Sequence, residues 1–263
     1  MATLRLVTRL CLFALVLMAT SLVACWVTLR EKLAGGPIDR TPYARVCFSA
    51  ATRSLGLKIR CHGELAREPV LFVSNHVSWS DIPVLGGIAP LRFLSKAEVA
   101  RWPLIGWLAG HAGTLFIQRG GGRAAQTREE ITRTLAAGQS VLVFPEGTTT
   151  DGRQVLPFHG RLLPAAAAAG VAIQPISIGY LRDGGPDPMA PFIGDDAFES
   201  HLLRLLRRPA AEVTVVLHDP VTLTADDDIA ALARQLHDTV AAGLTSCYSG
   251  VPAATSSSVA SLT

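Results

Sequence analysis

A histidine and an aspartate stand five positions apart in Asn75-His76-Val77-Ser78-Trp79-Ser80-Asp81, a pairing that suits proton abstraction. An alcohol is a poor nucleophile unless a positioned base takes its proton as it attacks, an effect worth about 10²–10⁴ in rate. Imidazole titrates near neutrality, so a neutral His76 is available as that base. Asp81 could hold it in one tautomer and stabilise the imidazolium. Asp81 also precedes Ile82-Pro83, so it could instead cap a helix starting near Pro83. A carboxylate has two oxygens, and the two roles are compatible.

Three further groups could meet an anion or an oxyanion. Phe144-Pro145-Glu146-Gly147 reads as a strand ending in a turn, extended by Thr148, Thr149, Thr150, Asp151 and Gly152 into a small, hydroxyl-rich loop with accessible backbone N–H groups. Arg119 precedes Gly120-Gly121-Gly122, where a planar fork for phosphate or carboxylate adjoins a backbone free to approach a ligand. Lys96 is a weaker candidate for the same anion. Each has a plainer reading, as a β-turn with an exposed Glu146 or as a surface cation. The other histidines (His62, His111, His159, His201, His218, His237) show no metal-ligand spacing and read as structural or exposed. No Gly-x-Ser-x-Gly, Walker or dinucleotide glycine pattern occurs.

These residues need a scaffold, and the apolar pattern supplies one. Short apolar runs at Leu57–Cys61, Val70–Ser74, Arg92–Ser95, Thr114–Gln118, Val141–Phe144, Ile173–Ile178 and Val213–Leu217 read as strands. Helical segments separate several of them, most clearly Arg123–Ala137, which Gly138 terminates; the class is α/β. Val70–Val73 and Val141–Phe144 read as central strands buried on both faces, each delivering a motif at its C-terminal end. Thr224 is the expected N-cap of a last helix running to about Leu244, followed by a Ser- and Ala-rich tail expected to be disordered.

Upstream, Leu10–Leu29 is twenty residues without a charge, about 30 Å as a helix and enough to cross a hydrocarbon core. A retained membrane helix fits its length better than a cleaved leader does, although Leu22-Val23-Ala24-Cys25 resembles a lipid attachment site. Thr41–Leu57 reads as a second helix, either lying in the lipid interface or packing conventionally. Basic residues after the apolar segment outnumber those before it, which places the main domain in the cytoplasm, at the inner membrane. The expected division is residues 1–57 as a membrane-anchoring segment, 58–244 as the main domain and 245–263 as tail. A net charge of +3 is too small for a nucleic-acid partner, and five cysteines without a Cys-x-x-Cys pair imply neither a disulfide framework nor a zinc site.

Taken in order, His76–Asp81, Gly113–Arg119, Phe144–Gly147 and Ile173-Gln174-Pro175-Ile176 resemble the four blocks of the phospholipid/glycerol acyltransferase family, whose members include 1-acyl-glycerol-3-phosphate acyltransferases. The resemblance runs from about Val70 to Ile178 and departs at Gln118, where the family commonly has an acid. It implies one mixed-sheet acyltransferase domain flanked by helices, behind a membrane helix and an interfacial helix. It also implies catalysis by His76 and Asp81, and acceptor binding by Arg119, Glu146 and Gly147; Thr148 and Lys96 join the substrate-binding candidates by residue type, and no metal or cofactor is expected. The implied reaction moves a fatty acyl group from acyl-CoA or acyl carrier protein to the hydroxyl of a lysolipid in the membrane. 1-Acyl-glycerol-3-phosphate, giving phosphatidate, is the first acceptor expected. Lyso-ornithine lipid is the alternative, because Phe192–Phe198 with His201-Leu202-Leu203 resembles that branch of the family.

Overall fold

In the computed structural model, which describes residues 1–118, 123–224 and 226–249, the first helix α1 (Ala2–Ala34) is followed by α2 (Thr41–Ser54) and then by the α/β domain. Its strands are β1 (Leu57–His62), β2 (Leu71–Ser74), β3 (Leu91–Lys96), β4 (Leu115–Ile117), β5 (Ser140–Val143), β6 (Ile173–Arg182), β7 (Gly185–Pro186) and β8 (Ala211–Leu217). The helices interleaved with them are α3 (Asp81–Ile88), α4 (Ile105–His111), α5 (Ala124–Ala136), α6 (Pro164–Ala169), α7 (Phe198–Arg207) and α8 (Ile229–Ser249).

The sheet order is β1-β8-β6-β2-β5-β3-β4, with β7 hooked onto the end of β6. The run from β6 through β2, β5, β3 and β4 is parallel, while β8 pairs antiparallel with β6, so the sheet is mixed. At its centre Leu71 pairs with Val141 and Val73 with Val143. Alternation then sorts these strands: Leu71, Val73, Val141 and Val143 join a core with Ile131, Leu135 and Leu236, while Phe72 and Leu142 face Val84, Leu85 and Phe93 on the other side. Both faces are covered, as two continuous apolar runs require.

Two elements of the α/β domain differ from expectation by four residues or more at an end. β6 extends to Arg182, four residues past its expected end, because Ile176–Leu181 pairs with Leu217–Glu212 of β8 after leaving β2. The last helix begins at Ile229 and continues to Ser249, so residues 245–249 are helical and not tail. Thr224 does not cap it. Its N–H and hydroxyl donate to Asp227 Oδ2, and the Asp228 carboxylate accepts the Ala230 N–H at 2.8 Å. Residues 250–263 lie outside the described residues.

α1 lies along the domain. At one end Arg9 donates to the Arg208 carbonyl at 2.7 Å, and at the other Glu31 pairs with Arg40, whose guanidinium also reaches the His111 carbonyl. Its outward face is a stripe of Val7, Leu15, Met18, Leu22, Leu29 and Leu33, each more than half exposed and spaced by helical turns. α2 is fixed by packing: Phe48 meets Phe93 edge to face at 5.7 Å, and Arg45 and Ser49 donate to the Gly87 carbonyl, while Val46 points outward.

Candidate active site

β2 and β5 end side by side, and the loops that leave them meet. His76, two residues past β2, donates from Nδ1 to Asp81 Oδ2 at 2.7 Å. The same oxygen accepts the Val77 and Ser78 amides at 2.8 and 3.0 Å, and Oδ1 accepts the Tyr180 hydroxyl at 2.6 Å. Asp81 is wholly buried, and four donors converge on its carboxylate, as a buried polar group requires. The partners of Oδ2 all precede Asp81 in sequence, and neither oxygen makes a capping bond to α3; the capping alternative is not realised. Burial and the neighbouring Asp81 charge push the Tyr180 phenol well above its usual pKa, so it stays a donor.

Nδ1 of His76 is committed to Asp81, and Nε2 is the nitrogen left to act as base. The ring stacks on Phe144, the residue after β5, centroids 3.8 Å apart and 11° from parallel. Glu146 was expected at the substrate. It is 4% exposed, and its two oxygens accept the His76 amide at 2.6 Å and the Leu156 amide at 2.7 Å. Those two bonds fix the backbone that carries His76. Burial raises its pKa against the lowering effect of those two bonds. The Thr150 amide bonds the His76 carbonyl at 2.9 Å, which closes the loops on each other.

His76, Lys96, Gly147 and Thr148 line one cleft, with a cavity volume of about 520 Å³. Its walls are apolar: Phe13, Leu17 and Val27 from α1, Tyr43 and Phe48 from α2, and Trp102 after β3. Among the described residues no Asp or Glu lines it; Lys96 and Arg40 do, together with the imidazoles of His76 and His111. Gly147 adopts φ +73°, a left-handed turn that suits glycine. Among the described residues no hydrogen bond engages the Thr148 amide, whereas the amides of His76, Val77 and Ser78 are all engaged. Of these four amides, that of Thr148 is therefore the one left to face an oxyanion. Arg119 lies outside the described residues.

Tyr180 and the α1 and α2 walls were missed from sequence. Tyr180 stands in the unexpected part of β6 and looks like any aromatic in an apolar run; only its pairing register aims it at Asp81. Trp79 and His201 were missed too. Trp79 lies between His76 and Asp81, and its indole N–H donates to His201 Nδ1 at 3.0 Å.

The chain matches the family model described as Acyltransferase over residues 58–179. It is 49% identical over 243 residues to a lyso-ornithine lipid O-acyltransferase of Pseudomonas aeruginosa, covering 91% of this chain and 93% of that one. It is 39% identical to another lyso-ornithine lipid O-acyltransferase, from Brucella abortus, over 75% of this chain and 80% of that one. A 1-acyl-sn-glycerol-3-phosphate acyltransferase of Neisseria gonorrhoeae shares 28% over 73% of this chain and 76% of its own. The crystal structure of the acyltransferase PlsC from Thermotoga maritima superposes with a TM-score of 0.69 at 22% identity, covering 93% of this chain and 97% of that one.

Proposed function

This chain belongs to the acyltransferase family, and from that premise we propose that it transfers a fatty acyl group from an acyl thioester to the hydroxyl of lyso-ornithine lipid, giving ornithine lipid. Support for the acceptor comes from the relatives: 49% and 39% identity to lyso-ornithine lipid acyltransferases against 28% to a 1-acylglycerol-3-phosphate enzyme. That reverses the order of the two acceptors on sequence alone. The observation that carries the chemistry is the His76–Asp81 pair at 2.7 Å, opening on an apolar cleft.

In this mechanism His76 Nε2 removes the acceptor's hydroxyl proton while the oxygen attacks the thioester carbonyl carbon, and Asp81 stabilises the imidazolium. The amides of Thr148 and Thr149 hold the oxyanion. Collapse breaks the carbon–sulfur bond, and the departing thiolate of coenzyme A or acyl carrier protein takes the proton from His76. Arg119 and Lys96 receive the acceptor's anionic group. No metal or organic cofactor enters these steps.

The site works on a membrane. The exposed α1 stripe enters one leaflet of the inner membrane from the cytoplasmic side, since both helix ends are tied to the same domain, and the cleft opens beside it.

A panel of lyso-ornithine lipid, 1-acyl-glycerol-3-phosphate and no acceptor, each given one labelled acyl thioester, tests the proposal. The expected product is ornithine lipid. Preferential formation of phosphatidate would return the phosphate acceptor to first place, and thiol release without an acceptor would indicate hydrolysis.

A further inference from the structure

The segment from Ala190 to His201 straps the two halves of the site together. The Phe192 amide donates to the Val77 carbonyl at 3.0 Å, and its own carbonyl accepts the Thr149 hydroxyl at 2.5 Å. Asp196 pairs with Arg204 at 2.8 Å, which ties the strap back onto α7. At the end of the strap stands His201, wholly buried, with both ring nitrogens in use. Nδ1 accepts the Trp79 indole N–H at 3.0 Å, and Nε2 donates to the Pro191 carbonyl at 3.0 Å. Only the neutral imidazole with its proton on Nε2 satisfies both bonds. Burial, followed by the nearby Arg204 charge, lowers the His201 pKa and keeps that form.

What His201 holds is not a remote core residue. Trp79 belongs to the loop that places His76 and Asp81, and its ring lines the cleft. On the other side it meets Phe198 at 4.9 Å, which in turn meets Trp102 at 5.5 Å. The loop is thus gripped at residue 77 through its backbone and at residue 79 through its side chain. Between these points the Val77 and Ser78 amides bind Asp81, so any slack at Trp79 passes directly to the carboxylate that orients the base.

We propose that His201 is a positioning residue for acyl transfer: acting through Trp79, it fixes the His76–Asp81 loop and the aromatic wall of the cleft in the geometry the reaction needs. The assignment rests on the acyl-transfer reading above. A catalytic group displaced by about 1 Å can lose about 10²-fold in rate, so a loosened Trp79 has a visible cost.

Two amide substitutions separate this role from simple packing. Asn puts its amide oxygen where Nδ1 stood and preserves the acceptor for Trp79. Gln puts its amide nitrogen where Nε2 stood and preserves only the bond to Pro191. The full chain in detergent–lipid micelles is assayed for transfer, with thermal unfolding in parallel, for H201N, H201Q, W79F and the double variant W79F/H201Q. The expected result is a fall in kcat of about 10- to 100-fold for H201Q and for W79F, no further fall in the double variant, and kcat within about threefold of wild type for H201N. Equal losses in H201N and H201Q, multiplying losses in the double variant, or an unaffected H201Q would each overturn the assignment.

A second readout does not depend on turnover. The Trp79 indole proton in ¹⁵N-labelled protein, identified by its absence in W79F, should exchange slowly in wild type and H201N and quickly in H201Q. That pattern without any lysolipid acylation would sink the proposed function and leave the brace standing. Transfer with an indole proton indifferent to H201Q would do the reverse.

Discussion

Replacing Tyr180 by phenylalanine removes one oxygen and little else, which makes it a sharp test of the buried relay behind His76. The hydroxyl donates to Asp81 Oδ1 at 2.6 Å and lies 2.9 Å from Ser80 Oγ. Both Tyr180 and Asp81 are shut away from solvent, so water does not replace the lost donor, and the ring continues to fill its site. A hydrogen bond to a charged group contributes about 1.5–3 kcal/mol. For a chain of this size about 2 kcal/mol corresponds to a Tm lower by about 4–8 °C. The second consequence concerns the base. The three bonds to Oδ2 persist, so the carboxylate stays in register with His76 and kcat should stay within about threefold of wild type. Acyl-transfer kinetics with calorimetry on the same preparation decide the matter. An unmoved Tm would refute the buried contact, and a collapsed kcat would show that Tyr180 takes part in the transfer itself.

Three other expectations follow. Asp81→Asn can turn its amide so that oxygen still faces the Val77 and Ser78 N–H groups and nitrogen faces Tyr180; the fold should persist while kcat falls about 10³–10⁴-fold in the acyl-transfer assay, and an active Asn variant would remove Asp81 from the mechanism. Glu146→Gln sets an N–H against one of two backbone donors, so it should lower both Tm and kcat. The Glu146 pKa is raised in the fold, so its protonated form adds stability that is complete below the unfolded value and fades as pH rises through the folded one. The stability gap between wild type and Glu146→Gln should accordingly narrow on going from pH 4 to pH 8; denaturant titrations showing a widening gap would contradict the burial argument. Charges placed on the exposed α1 stripe, as in Leu15→Glu with Met18→Glu, should release the protein from anionic vesicles in flotation without changing its Tm, and undiminished binding would move the membrane contact elsewhere.

The relation between chain and fold differs from residue to residue. His76 and Asp81 were legible because their spacing lies within one loop, and the polypeptide itself guarantees their approach. The central strands were legible because a sheet covered on both faces requires unbroken apolar runs, and Leu71–Val73 and Val141–Val143 have that character. Glu146 was found, but its partners were not. A glutamate after a strand invites a ligand role, and nothing local reveals that amides 70 and 10 residues away take up both oxygens. Tyr180, 99 residues from Asp81, was invisible for the same reason.

What the chain determined by itself is carried at short range: a histidine beside its carboxylate, a glycine turn, a long apolar helix. Tertiary structure alone decided which groups stand behind that chemistry. The Tyr180 hydroxyl, the Glu146 brace, the His201 strap and the α1 wall of the cleft all join residues far apart in sequence. Hydrogen bonds and side-chain contacts act over only a few ångströms, so such partners exist only once the sheet has set their register.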